Sequence, residues 1–443
     1  MDMTQTPASQ DCRAVFADIT DELAVTDVID VHTHLRWETP QARSLAEVLT
    51  YHFIWRELHA AGMPLYVSAI KGERDQLRAA LPYLPLVRFT STGYCLRRIL
   101  QDLYGMKEDW LTEDNLDRMI GVVAETAADM AWPREVLERR AHIRKSFLDI
   151  HQARHWAARM QQKDPVLQRY ADLLVPASED ALFVTGSVRG IVKETSACTG
   201  IAVTDAASLA EAVRRYVTPE QLTLVTAFLG WASVDFLYCK PDPELVNTAI
   251  QKALRRERTT PEETNAVRVF AFVEFVKLLQ AHGKPFQFFF GSESLHNYTS
   301  PPQCVYNPQT LRSLSSLFTD FPEMQFDFFI GSMLFSQEMH IMAKMHQNVH
   351  VAGIWWHNMY SEYLQRIIAE RLDVCPLNKV SAFFSDAYMV EWSYAKWKLV
   401  QREWATVLAD RVCKGYFSRS DASSIIKQWA WTNPVRLYGL AGA

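Results

Sequence analysis

Val28-Ile29-Asp30-Val31-His32-Thr33-His34-Leu35 is the stretch whose reading decides the fold. A short β-branched run ends in two histidines spaced i, i+2. Alternate side chains of a strand share a face, so His32 and His34 point the same way from its tip. The apolar run reads as a strand buried on both sides. Two imidazoles converging there suit a divalent metal, with zinc the commonest tenant. Taken alone, His-x-His is also compatible with a metal-free loop. Its strand context near the start of a long chain favours the metal site, because a metal-dependent (β/α)8 barrel can begin this way.

The chain has 443 residues, 49% hydrophobic and 22% charged, which is an ordinary globular composition. That length accommodates one barrel of about 250 residues with a large insertion, or two or three smaller domains. A net charge of -5 without any Lys/Arg block points away from nucleic acid and anionic membranes. Met1 to Asp18 lacks the apolar core of a signal peptide. No window reaches the ~18 apolar residues of a membrane span. Seven scattered cysteines, an odd number without Cys-x-x-Cys, predict reduced thiols in a cytoplasmic protein.

After His34 the pattern is helical for about a hundred residues. Apolar spacing predicts one helix over Ala46–Ala61, ended by Gly62-Met63-Pro64. Further helices read at Arg74–Ala80, Leu96–Tyr104 and Thr112–Asp129. This divides the chain into a first strand (1–34), a helical insertion (35–140) and the remainder of the barrel with C-terminal helices (141–443). Strands are expected at Ala141–Leu148, at Ala181–Thr185 or Ile191–Lys193, and at Phe286–Phe290, Phe326–Ile330, His350–Ile354 and Val380–Ser385. Long helices are expected over Pro261–His282 and Tyr388–Leu408. Strands separated by helices predict βαβ units and a parallel sheet. In a closed barrel the first and last strands are neighbours, which would bring Asp386 to His32 and His34.

Four segments, with a fifth at the C-terminus, resemble the uronate isomerases, a branch of the amidohydrolase superfamily. Asp30-Val31-His32-Thr33-His34-Leu35 is similar to that family's His-x-His-Leu. Tyr51-His52-Phe53-Ile54-Trp55-Arg56 resembles its Asp-His-Tyr-x-Trp-Arg. Gly353-Ile354-Trp355-Trp356-His357-Asn358 resembles Gly-x-Trp-Trp-Phe-Asn, and Phe384-Ser385-Asp386-Ala387-Tyr388 resembles Leu-Thr-Asp-Ser-Arg. The terminal Asn433 to Leu440 is similar to Asn-Ala-x-x-Tyr-Phe.

The resemblance implies an α/β fold, a (β/α)8 TIM barrel of the amidohydrolase type with a helical insertion after strand 1. It implies one divalent metal ion, usually zinc, on His32, His34 and Asp386. The implied reaction interconverts aldohexuronates and ketohexuronates. Asp386, Asp235 and His52 then become catalytic candidates; Arg56, Trp355, Trp356, His357 and Tyr388 become substrate contacts. The partner is a small molecule, and homo-oligomerisation stays open.

The departures from the family pattern are specific. Phe289 stands at the strand-5 histidine position, Phe53 at the loop tyrosine, and Tyr388 and Val184 where two arginines are expected. Without those arginines a carboxylate loses its bidentate clamps. A hydrolase, deaminase or lyase on a less anionic substrate is therefore the alternative, with a non-catalytic binding protein behind it. Lys193 with Glu194, at the end of a strand, is a second-metal option, and Glu293 with His296 a substitute for the strand-5 ligand. His340, His346 and His350 read as structural polar residues, and Trp392, Tyr394 and Trp397 as helix packing.

Overall fold

The computed structural model describes residues 11–150, 153–180, 182–233, 235–293, 303–304, 306–355 and 359–440. The chain forms two compact units. Unit 1 comprises Met1–Leu148, Met359–Ala369 and Phe383–Trp431; unit 2 comprises Asp149–Asn358, Glu370–Ala382 and Thr432–Ala443.

In unit 1, strand β1 (Val28–Thr33) is buried along its whole length. It pairs in parallel with β2 (Ile143–Ile150), with Val28 opposite Ile143 and Thr33 opposite Leu148. β2 crosses the boundary into unit 2 and carries a buried carboxylate, Asp149, near its end. On its other side β1 bonds to the irregular segment 383–387. Val31 N–H donates to the Phe383 carbonyl (3.2 Å), Asp386 N–H to His32 (3.0 Å) and His34 N–H to Ala387 (2.9 Å).

Between β1 and β2 the described regular elements are all helical. They include α1's successors α2 (Leu45–Leu49), α3 (His52–Ala60), α4 (Glu73–Ala80), α5 (Ser91–Arg98) and α6 (Glu113–Ala128), with α1 (Cys12–Val25) preceding β1. A capping box joins Thr112 and Asn115 at the start of α6, placing that boundary where the sequence predicts it. The single helix expected over Ala46–Ala61 is two, α2 and α3. Tyr51 breaks it with ψ 129° while its side chain is buried and its hydroxyl donates to the Asp386 carbonyl at 2.9 Å. A tertiary hydrogen bond overrides local periodicity here.

The long helix α7 (Val390–Cys413) is buried on nearly all sides. Its Glu391 accepts hydrogen bonds from Trp132 Nε1 (2.9 Å), Tyr104 Oη (2.9 Å) and the Ala42 amide (3.0 Å). α1 packs along α7. Cys12 and Cys413 form a disulfide with Cα atoms 5.9 Å apart, which corrects the expectation of uniformly reduced thiols.

Unit 2 contains five strands paired in parallel in chain order: β3 (Leu174–Glu179), β4 (Ala227–Trp231), β5 (Phe286–Phe290), β6 (Phe326–Ile330) and β7 (Val349–Val351). β5 and β6 are buried throughout, as strands covered on both faces are. Parallel neighbours need crossovers, and helices such as Pro261–Ala281 supply them. That helix opens with a capping box between Thr260 and Glu263. Val380 contributes only an isolated parallel bridge to Val351, so the expected strand Val380–Ser385 is mostly irregular.

Two expected strands are helices. Leu182–Thr185 forms a short turn of helix, and Ile191–Lys193 lies within the helix Val188–Thr199. The latter buries Val188, Ile191, Val192 and Thr195 on one face, a helical spacing, and Ser187 caps it by accepting from the Gly190 amide. Lys193 and Glu194 are thus on a helix, not at a strand end, and Lys193 is exposed. β3 escapes a reading by composition because Pro176 sits inside it. Described helices include none long and apolar enough to cross a membrane.

Candidate metal centre

The site builds outward from the tip of β1. Asp30 and His32 lie on β1 and His34 one residue past its end, with the two imidazole centroids 4.8 Å apart. His32 Nε2 lies 3.4 Å and His34 Nε2 3.1 Å from Asp386 Oδ1. His32 and Asp386 are buried, while His34 is partly exposed. The three residues assigned to the metal by resemblance therefore converge within unit 1. Donors about 2.0–2.2 Å from a tetrahedral zinc are themselves about 3.3–3.6 Å apart, and two imidazole nitrogens each close to that distance from a carboxylate oxygen are the donor types such an ion takes. Burial alone would raise the Asp386 carboxyl, but hydrogen bonds from His32 and His34 outweigh it and hold the group well below the usual carboxylate range. Asp386 is thereby kept as an anion.

Asp386 adopts a left-handed backbone, φ +53°, which a non-glycine residue holds only when its surroundings impose it. The surroundings here are dense. Asp30 Oδ1 accepts the Ser385 amide at 2.7 Å. Lys396 Nζ donates to the Ser385 carbonyl at 2.6 Å and to Tyr51 Oη at 2.8 Å. Burial pushes the Asp30 carboxyl up to about 7 and the Lys396 ammonium down to about 8.

Tyr388 and His52 complete the neighbourhood. The Tyr388 ring stacks on His34 with centroids 5.1 Å apart and meets His52 edge-on at 5.2 Å, so one phenol bridges both imidazoles. Burial lowers His52 to about 3, leaving it neutral at physiological pH. Arg56, one turn further along α3, is exposed, and partial burial lowers its guanidinium. A cavity of about 290 Å³ is lined by Arg36, Glu47, Tyr51, His52, Tyr388 and Met389, among others. Its arginine is engaged: Arg36 bonds Glu47 at 2.5 Å, and Glu47 also accepts from Arg43. Burial would raise Glu47, but these arginines draw it down to about 2.

The remaining sequence-derived residues lie in unit 2. Asp235 is exposed in the turn after β4, its amide bonded to Ser233 Oγ at 3.2 Å. Trp355 is buried and meets Phe289 edge-on at 5.3 Å. Phe289, at the strand-5 position, also packs on Trp231 (5.0 Å) and Phe329 (4.3 Å). Gly331 permits this wall: a Cβ there would come within 2.6 Å of the Trp355 ring. Trp356, His357 and His296 lie outside the described residues, as does the Glu293 side chain. His340 and His350 are buried and partnered, by Arg371 at 3.1 Å and Gln325 at 2.9 Å, as structural polar residues are.

Sequence reasoning missed Tyr51, Ser385, Lys396 and Asp30 as supports of the site. Asp30 carried a legible signal, because its i, i+2 spacing continues the histidine pair. Lys396, between Trp392 and Trp397 in a run otherwise expected to pack, carried a weaker one.

No family model matches the sequence, and no curated protein matches it significantly. Solved structures do match. The uronate isomerase of Thermotoga maritima superposes with a TM-score of 0.83 at 15% identity, over 96% of this chain and 97% of that one. The glucuronate isomerase of Caulobacter crescentus gives 0.82 at 17% identity, over 99% and 96%. The uronate isomerase of Bacillus halodurans gives 0.73 at 15% identity, over 98% of each. At these identities the likeness concerns architecture, and at that level it agrees with the motifs: the chain carries the fold seen in the uronate isomerases.

Proposed function

We propose that this chain is a metal-dependent enzyme that interconverts aldose and ketose forms of a polyhydroxy acid related to the hexuronates. The observation that carries this reading is the convergence of His32, His34 and Asp386 on one point. The likeness to uronate isomerase structures over nearly the whole chain supports it, and the reading includes a (β/α)8 barrel with residues 35–140 as its helical insertion.

A divalent ion held by these three residues, zinc by its mixed nitrogen and oxygen donors, would polarise a sugar carbonyl and the neighbouring hydroxyl. The chain's own groups do the rest. A carboxylate oxygen of Asp386 takes the proton from one sugar carbon and returns it to the next, while the proton of the neighbouring hydroxyl passes to the former carbonyl oxygen; Asp235 is the second candidate base. His52, neutral and buried, orients a substrate hydroxyl by hydrogen bonding. Tyr388 and Arg56 contact the substrate beside the 290 Å³ cavity, with Trp355, Trp356 and His357 as further candidate contacts.

A second reading, hydrolysis or a related reaction on a less anionic molecule, rests on a separate observation. Phe289 is locked in an aromatic cluster, Val184 is buried apolar, and the cavity's Arg36 is already neutralised by Glu47. An unpaired substrate carboxylate is costly to desolvate. Glucuronate and galacturonate themselves should therefore turn over slowly.

Metal analysis combined with a substrate panel tests both readings. The wild type should retain about one divalent ion, and the His32→Ala, His34→Ala double variant should lose it together with any isomerisation. Full occupancy in the double variant would sink the metal assignment. Brisk turnover of either uronate, near the ~10 per second typical of enzymes, would restore the plain family activity. Hydrolysis of lactones or amides without any isomerisation would favour the second reading.

A further inference from the structure

Lys396 is a buried ammonium on α7, and the charges of Asp386 and Asp30 offset only part of its burial. Such a group is expensive to bury, and a methionine or leucine would pack in its place at less cost. What its hydrogen bonds hold is therefore informative. Nζ donates to the Ser385 carbonyl at 2.6 Å and to Tyr51 Oη at 2.8 Å. It also lies over the rings of Phe53 (4.5 Å) and Tyr51 (5.1 Å). Tyr51 Oη in turn donates to the Asp386 carbonyl at 2.9 Å. A phenol that accepts from an ammonium has its own proton left to give. Lys396 thus sets the direction of the Tyr51 hydrogen bond as well as its position.

We propose that Lys396 is a positioning residue that, through Tyr51 and Ser385, holds Asp386 in the left-handed conformation that aims its carboxylate at His32 and His34. The proposal rests on the metal reading above and adds to it a support that touches neither the ion nor the substrate. Two further hydrogen bonds, the Asp386 amide to His32 O and the Ser385 amide to Asp30, hold the N-terminal side of the residue. The Lys396–Tyr51 relay holds its carbonyl. Removing it lets the Asp386 peptide rotate toward ordinary backbone angles and swings the carboxylate off the ligating point.

The test measures zinc affinity by chelator competition on the metal-free full chain, with cobalt absorption as a reporter of ligand geometry. Wild type, Lys396→Met, Lys396→Gln and Tyr51→Phe are compared, with folding checked by circular dichroism. Lys396→Met should weaken zinc binding about 10–100-fold and alter the cobalt spectrum. Lys396→Gln, which keeps an N–H donor, should recover part of that loss. Tyr51→Phe removes a single hydroxyl and should give a loss in the same range even if Lys396→Met fails to fold. Wild-type affinity and spectrum in the folded variants would overturn the positioning role while leaving the metal site intact. Failure of the wild type itself to bind zinc or cobalt would overturn the metal reading, and this proposal with it.

Discussion

Single residues set the chemistry by what burial does to their charge. Asp386 is kept anionic by two imidazoles, and His52 is kept neutral by desolvation. The same physics acts away from the site. Asp327 on β6 is fully buried and accepts the Tyr438 hydroxyl at 2.5 Å, and that hydroxyl accepts from Gln287 Nε2 at 2.9 Å. Burial pushes the Asp327 carboxyl up to about 7, against the lowering effects of Tyr438 and Arg371. In the unfolded chain it titrates in the ordinary carboxylate range. Between those values the folded state binds the extra proton, so this residue's contribution to stability is lost as pH rises toward 7. Asp327→Asn keeps an acceptor for Tyr438 but cannot ionise. Its unfolding free energy relative to wild type should therefore rise between pH 4.5 and pH 7.5. Denaturant titrations across that range check this; a difference that stays flat with pH would show that Asp327 is not proton-linked to folding.

At the scale of elements, α7 organises unit 1. Its sequence shows little amphipathicity because helices and strand-side segments cover it all round. Glu391 is the polar exception, receiving three donors from the helical segment between β1 and β2. Burial raises its carboxyl despite those bonds. Glu391→Leu would orphan buried donors at about 1–3 kcal/mol each, so a loss of about 3 kcal/mol or more is expected. Glu391→Gln, which retains an acceptor, should cost less. Urea unfolding followed by tryptophan fluorescence measures both, and equal losses for Leu and Gln would argue against the hub. Trp392, one residue on, stacks on Tyr51 at 4.3 Å and donates to Val48 O at 3.1 Å. The helix that packs the helical segment between β1 and β2 thus also backs the tyrosine that braces Asp386.

For the whole molecule, unit 1 is assembled from segments far apart in the chain. Residues 401 positions apart, Cys12 and Cys413, are linked across α1 and α7. Gln401 Nε2 on α7 adds a hydrogen bond to the Leu23 carbonyl at 2.5 Å. Cross-linking so long a loop restricts the unfolded chain. Cys12→Ser should lower stability by about 2–4 kcal/mol. Calorimetry of the oxidised wild type against the variant tests the size. A linked peptide containing both cysteines, found by mass spectrometry without reductant, tests the bond, and its absence would return the chain to the all-thiol expectation.

The parallel-strand architecture was legible in the sequence where local physics was sufficient. The β-branched run into His32 and His34, the phenylalanine-rich β5 and β6, and the capped helices 113–128 and 261–281 all lie where pattern and capping place them. Local rules failed where long-range contacts chose the outcome. Tyr51 split a helix because its hydroxyl reaches Asp386, 335 residues away. Pro176 disguised a strand, and Val188–Thr199 took the helix its buried face favours over the strand its short apolar run suggests. The histidine pair could be read from i, i+2 spacing alone. Its meeting with Asp386 is expected from the adjacency of first and last strands in a barrel and from the family resemblance, but the Lys396–Tyr51 brace behind it could be decided only by tertiary structure, because hydrogen bonds between residues hundreds of positions apart leave no periodic trace in the chain.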